Sequence, residues 1–313
     1  MTGTRTVRPE KKKRNRFNSL PQGWNIAFSV VLGLISILML APMVLVIIVS
    51  FSSEASISRI GYSFMPAEWS LSGYTYLLKI GDQVGQSYIV TIFYTVTGTL
   101  MSLTVMTLYA YVISQRSFRA RKFFTWILFF TMLFGGGLVP SYILNTKYLN
   151  LYNTIWIFLL PSLVSAYNVI ILRTFIQSTI PESLFEAARI DGAGHFRIYA
   201  NIVLPLFKAG IATIGLFNVV SRWNDWFTGM LYIQDARLVP LQTLLQKIQD
   251  QIEFLKTNAA VSATPDGLEL LRNLPTNSLR MACTVIIVAP ILMAYPFFQR
   301  YFVSGLTIGS VKG

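Results

Sequence analysis

Few residues in this chain could do covalent or metal chemistry. There is a single histidine, His195, and a single cysteine, Cys283. That inventory cannot supply a His-pair or HExxH zinc site, a cysteine metal cluster or an intrachain disulfide. A phosphate-cradling loop needs G-x-x-x-x-G-K-[ST], but the only lysine followed by Ser or Thr is Lys256, preceded by Leu255. What remains is a set of polar groups in apolar surroundings: Tyr167 and Asn168, Asn218, and the cluster Arg222-Trp223-Asn224-Asp225-Trp226. Aromatic rings beside amide and acid groups suit sugars, because rings cover the apolar sugar face while polar groups meet hydroxyls. The competing reading is an interfacial tryptophan belt with a surface Arg222–Asp225 pair. Asn168 and Asn218 equally suit interhelical hydrogen bonds worth roughly 1 kcal/mol each.

The elements that carry these groups are membrane helices. The 313 residues are 53% hydrophobic, 14% aromatic and only 12% charged, against about 25% charged in a soluble domain. Disorder is excluded by the same figures. A helix needs roughly 20 apolar residues to cross the hydrocarbon core, and six stretches qualify: 25–50, 87–114, 123–144, 152–174, 204–231 and 280–303. The first has a basic flank like a secretory signal, but its apolar run is too long and no small-residue cleavage site closes it. Residues 1–24 form a basic tail and 25–313 a single six-span transmembrane domain, giving an all-α polytopic membrane protein.

Charge sets the orientation. With both termini in the cytoplasm, the inner segments 1–24, 115–122, 173–208 and 300–313 hold 17 of the 26 Lys and Arg with four acids, so the net charge of +13 lies on one face. Arg116, Arg119, Arg121 and Lys122 meet the positive-inside rule within one short loop. The basic residues therefore read as topogenic, and nucleic acid is not expected as a partner. On the outer side, 238–256 is an amphipathic helix, with Leu241, Leu244, Leu245, Ile248, Ile252 and Leu255 on one stripe and Pro240 in its first turn. It is either a lid on the bundle or lipid surface, or a docking element for an external partner. Gly135-Gly136-Gly137 followed by Pro140 should break the third span near its outer end, as a hinge or as a packing site. Pro290 and Pro296 should bend the sixth.

The longest inner loop, 175–203, leads into a spaced pattern: Glu186-Ala187-Ala188, Gly192, then Ile202-x-Leu204-Pro205. Pro181-Glu182 or Ser183 can start a short helix. Asp191-Gly192 ends it, glycine supplying a backbone conformation that other residues resist. A second short helix follows from about Gly194 to Ile202, and Pro205 falls in the first turn of the fifth span, where a missing N–H costs little. A helix–turn–helix knob on the positive face results, with His195 at its surface.

This E-A-A-x3-G-x9-I-x-L-P pattern resembles the EAA loop of binding-protein-dependent ABC importer permeases. Ala110-Tyr111 with Ser114, the segment Pro66–Tyr74 and Trp223-Asn224-Asp225 extend the resemblance over about residues 20–310. It is nearest the carbohydrate-uptake, maltose-permease-like subset, and FGGGLVPSYI with the basic tail is similar to its Gram-positive polysaccharide branch, associated with lipoproteins. The resemblance implies a type I ABC importer fold in the bacterial plasma membrane and a non-catalytic permease subunit. It implies ATPase-coupling roles for Glu186, Ala187, Ala188, Asp191, Gly192, Leu204 and Pro205. It also implies ATP and Mg on two partner ATPase subunits rather than on this chain, a homologous second permease, and an extracellular solute-binding protein. The substrate pathway is expected at Tyr167, Asn168, Asn218, Trp223, Asn224 and Asp225. Two other classes compete. An ion-driven secondary transporter would need carboxylates at mid-depth, and none of the six spans has one. An intramembrane enzyme finds no embedded Asp pair.

Overall fold

A computed structural model describes residues 21–258 and 276–309; most of the basic tail, the end of the outer loop and the last four residues lie outside the described residues. Among the described residues, three helices are long and apolar enough to cross a membrane: α1 (Gln22–Ser50), α4 (Gly81–Ser114) and α14 (Thr276–Gly309), whose apolar part is Thr276–Met293. Two further pairs pass the same test but are bent, by 114° and 80°. Pro42 lies within α1, and α14 continues as helix through Pro290 and Pro296.

The third apolar stretch breaks where its glycines predict. α5 (Arg121–Leu133) stops at Phe134, and α6 (Leu138–Ile143) restarts after Gly137, whose φ of +83° suits a residue without a Cβ. The fourth departs from the single helix expected over 152–174. Asn150 and Asn153 take left-handed backbone at φ 50° and 55°, a 3-10 turn covers Ile155–Phe158, and α7 (Ala166–Thr179) begins only after Ser165 caps it through the Asn168 N–H. Asparagine tolerates left-handed backbone better than most residues, and Asn153 is held there by a distant segment, its Oδ1 accepting from the backbone N–H of Gln234 and Asp235. Burial explains the apolar content here: Leu151, Ile157, Phe158 and Leu159 are all buried, two of them in the 3-10 turn and none on α-helix.

The fifth stretch is also divided. α8 (Glu182–Ile190) and α9 (His195–Ile198) lead through a π turn, Tyr199–Val203, to α10 (Leu204–Leu206); the long helix α11 (Lys208–Trp223) follows, then α12 (Phe227–Tyr232). Pro205 therefore sits in α10, not in the first turn of the long helix. In the π turn the Leu204 N–H reaches the Tyr199 carbonyl, one residue beyond the α-helical partner.

Short helices α2 (Glu54–Ile60) and α3 (Ser72–Lys79) cap one end of the bundle. The Glu54 carboxylate accepts from Thr276 Oγ1, Asn277 Nδ2 and the Asn277 backbone N–H, placing a negative charge at the positive start of α14. The amphipathic helix α13 (Leu241–Thr257) has Pro240 at its N-cap; Leu241, Leu244, Leu245, Ile248 and Ile252 are buried, so its apolar stripe packs on the bundle.

α4 runs through both core clusters. Small hydroxyl residues Ser87, Thr91, Thr95, Thr99 and Ser102 form its buried face, and such residues let membrane helices approach closely. One cluster centres on Tyr94, Phe158, Trp223, Leu245 and Leu279, toward the α13 end. The other centres on Met106, Ile113, Leu172, Phe185, Ile198 and Ile214, toward α8 and α9.

Candidate coupling site and pathway

The Glu186–Pro205 pattern forms a compact knob at the C-terminal end of α4. Pro181 precedes α8 and Glu182 occupies its first turn, where a negative charge is favoured. Phe185 and Ala188 face inward; Glu186, Ala187 and Ile190 face outward. The end of α8 is a Schellman motif: Gly192 N–H donates to Arg189 O at 3.0 Å, and Ala193 N–H to Ala188 O at 2.9 Å. The motif requires a left-handed residue after the cap, and Gly192 has φ +76° with open space around it. A side chain would meet no neighbour there, only backbone strain. Asp191 is the C-cap itself, exposed, and Leu204 is half-buried against the inner cluster.

Four contacts tie the knob to α4 and the loop after it. Arg189 Nη2 donates to Gln115 Oε1 at 2.7 Å, Tyr111 Oη meets His195 Nδ1 at 3.3 Å, and Tyr199 Oη pairs with Thr107 Oγ1 at 2.7 Å. Arg116 and Glu182 form an ion pair at 3.6 Å. Sequence reasoning missed Arg189, Gln115 and Tyr199, since partners 74 and 92 residues apart leave no local signal. It also missed the apolar groups that the knob presents outward: Ile190 is 86% and Phe196 77% exposed. Their alternation with the buried Ala188 and Ile198 was the available sign. On a projecting knob they suit a partner groove better than water.

The pathway candidates are differently placed. Arg222, read as half of a surface pair with Asp225, is instead buried. Its Nη1 donates to Phe158 O at 2.6 Å; its Nη2 donates to Ser102 Oγ at 2.7 Å and Ser162 O at 3.0 Å. These carbonyls belong to the irregular segment before α7, where no helix ladder satisfies them, and unpaired carbonyls at membrane depth are costly. Gly98 makes the room: a Cβ there would lie 2.5 Å from Arg222 Nη1. Tyr94 Oη, one turn away on α4, donates to Arg222 O at 2.8 Å. Asp225 instead caps the next helix, Oδ1 accepting from Thr228 N–H at 3.0 Å.

Trp223 is buried too, with Nε1 donating to Ile287 O, so it is not part of an interfacial belt. Asn218 donates within its own helix, to Ile214 O, rather than across to another. Asn224 is exposed and accepts from Gln242 of α13. Tyr167 is 57% exposed and Asn168 half-buried in the first turn of α7. Among the described residues no three His, Cys, Asp or Glu side chains gather as a metal site.

Residues 117–308 match the family described as binding-protein-dependent transport system inner membrane component. The chain is 34% identical over 303 residues to the polygalacturonan/rhamnogalacturonan transport system permease protein YtcP of Bacillus subtilis, covering 96% of this chain and 100% of that protein. It is 35% identical over 291 residues to Protein LplC of the same organism, covering 92% and 94%. Among solved structures, a chain of a bacterial ABC transporter involved in the import of the acidic polysaccharide alginate superposes with a TM-score of 0.74 at 30% identity, covering 93% of this chain and 100% of that one. The fold is thus that of a type I ABC importer permease, and the ion-coupled alternative has no support. The chain belongs to the family of binding-protein-dependent transport system inner membrane components, the multi-pass, non-catalytic permease subunits of bacterial ABC importers.

Proposed function

We propose that this permease imports a carbohydrate, an oligosaccharide or polysaccharide fragment, by coupling the motion of cytoplasmic ATPases to alternating access. The observation that carries the coupling is the knob: a Schellman-capped helix pair that presents Ile190 and Phe196 outward while Arg189, Tyr111 and Tyr199 bind it to α4. Glu186, Ala187, Ala188, Asp191 and Gly192 form the docking helix and its turn; Leu204 and Pro205 form the bend that passes its motion to α11.

In this reading the knob faces the cytoplasm, as the basic loop 115–122 requires. Both termini are cytoplasmic and the chain crosses six times. α5 with α6 makes the third crossing, and the irregular 152–165 segment with α7 the fourth. α7 has 14 residues, about 21 Å of helix, short of a roughly 30 Å core without that preceding segment. A homologous permease completes the pore, two ATPases bind ATP and Mg inside, and an extracellular solute-binding protein delivers the substrate. Tyr167, Asn168, Asn224 and Asp225 line the pathway, with Asn218 and Trp223 as supports behind them. Relatives named for polygalacturonan and alginate make uronate-containing fragments the first substrates to test.

The test is affinity purification from native membranes in mild detergent, with uptake of labelled uronate oligosaccharides in parallel. A second permease and a P-loop ATPase copurify if the reading holds. A chain that elutes alone in every mild detergent overturns the coupling assignment, and proton- or sodium-driven uptake without ATP overturns the mechanism.

A further inference from the structure

Two cavities adjoin at the knob end of α4, and they differ sharply in chemistry. One, of about 490 Å³, lies between the end of α4, the loop after it and the knob; Tyr111, Gln115, Ser117 and His195 give it polar walls. The other, also about 490 Å³, runs back along α4 past Val105 and Leu108 to Phe124 and Val164 and is apolar. Val112 and Phe118 line both, so the chambers share a wall. The one polar group of the apolar chamber, Tyr109 Oη, already donates to Phe124 O.

The loop that supplies Ser117 and Phe118 to these walls is cationic. The loop 115–122 contains Arg116, Arg119, Arg121 and Lys122 and no acid. Arg116 pairs with Glu182, while the other three form no ion pair among the described residues. The loop also supplies the start of α5, a 13-residue helix with no side-chain cap and no acid in its first turn, so its N–H groups add positive potential.

We infer that this paired cavity is a binding site for one anionic phospholipid, with the phosphate held at the Arg119–Lys122 rim and polar chamber and an acyl chain lying along α4 in the apolar chamber. A soluble phosphate would satisfy the rim and leave the apolar chamber empty; an apolar partner helix would leave the cations unmatched. A lipid with both an anionic head and a hydrocarbon tail fills both, and basic pockets between helices on the cytoplasmic side suit such head groups. The inference rests on the cytoplasmic placement of the knob. Because Tyr111 and Gln115 line the site and also hold His195 and Arg189, the lipid wedges beside the joint between knob and α4.

The test purifies the assembled transporter, washes it in lipid-free detergent and quantifies bound phospholipid classes by mass spectrometry. The wild type retains phosphatidylglycerol or cardiolipin in fixed ratio to this chain. Val112→Trp, which fills the shared wall, loses it, as does the Arg119→Gln, Lys122→Gln pair, while both variants still elute with their partner subunits. Retention of the same lipid by both variants overturns the inference, and so does a wild type carrying only phosphatidylethanolamine. Val112→Cys in a Cys283→Ser background adds a third reading: cross-linking to the second permease in native membranes shows a protein in the groove and also overturns it. Copurifying ATPase without bound lipid refutes the lipid site alone; bound lipid without any ATPase refutes the importer reading alone.

Discussion

Midway along α4, Tyr94, Gly98 and Ser102 enclose a single buried arginine; toward its C-terminal end, Thr107, Tyr111 and Gln115 hold the knob. The arginine joint gathers a buried guanidinium on two backbone carbonyls and a hydroxyl, and the carbonyls also accept from Ser162 Oγ and Ser102 Oγ. Opening it would strand buried polar groups in an apolar medium. The Thr107–Tyr199 contact is buried as well, but those of Arg189, His195 and Arg116 are part-exposed, and water or a new partner can replace each of these three as it breaks. One helix thus carries a fixed joint near its middle and a more readily remade joint at the knob, as a lever between them would need.

The sharpest way to break this comparison is Arg222→Met. It takes the charged donor from the Phe158 and Ser162 carbonyls and leaves each with a hydroxyl donor, at a loss of roughly 1–3 kcal/mol in all. Thermal unfolding of the purified complex in detergent should shift markedly downward, and an unchanged midpoint would mean the joint is not fixed. Gly192→Val comes next. Its φ of +76° costs a β-branched residue about 1–2 kcal/mol, confined to the knob. Uptake should be lost while the unfolding midpoint of the bundle holds, and Gly192→Asn, which tolerates left-handed backbone, should recover part of the uptake. Equal melting shifts in the Arg222 and Gly192 variants would erase the distinction.

Smaller changes sharpen it. Ser102→Ala removes one of the acceptors of Arg222 and should lower stability by about 1 kcal/mol, a fraction of the Arg222→Met effect. Gln115→Ala should cost about 0.5–1 kcal/mol and show itself chiefly as faster hydrogen exchange across 182–198, since Arg189 loses its acceptor. The smallest effect belongs to pH. Arg237 and its backbone N–H hold the exposed Asp235 carboxyl below its usual range. The folded-state value is depressed, so its contribution is present above the unfolded value and is lost as pH falls through the folded one. Melting curves of wild type and Asp235→Asn should converge only under that acid condition.

The knob was legible because its signals are local. Glu182 marks the start of its first helix and Asp191-Gly192 the turn, within ten residues of each other, and the Schellman bonds span only a few residues. The stripe of α13 was legible for the same reason: Leu241 to Ile252 repeat at helical spacing. Arg222 was not. A carboxylate three residues later looked like its natural partner, whereas its acceptors lie 60 and 64 residues away on backbone that no side-chain pattern announces. The irregular stretch 152–165 misled for a related reason, because burial and not helix formation explains its apolar composition. The break at Gly137 could be read directly, while the bend at Phe207 could not: Pro205 marked the region, but the ring of Phe207 packing over the bare Gly210 set the corner.

The fit between Gly98 and Arg222 also restricts how this chain can change over generations. Any side chain at 98 displaces a guanidinium that is already committed to three oxygens. Any shorter residue at 222 takes the charged donor from those oxygens before a larger 98 could fill the space. Neither substitution is a tolerable first step toward the other, so descendants should inherit the pair together or replace it together with the 155–165 segment.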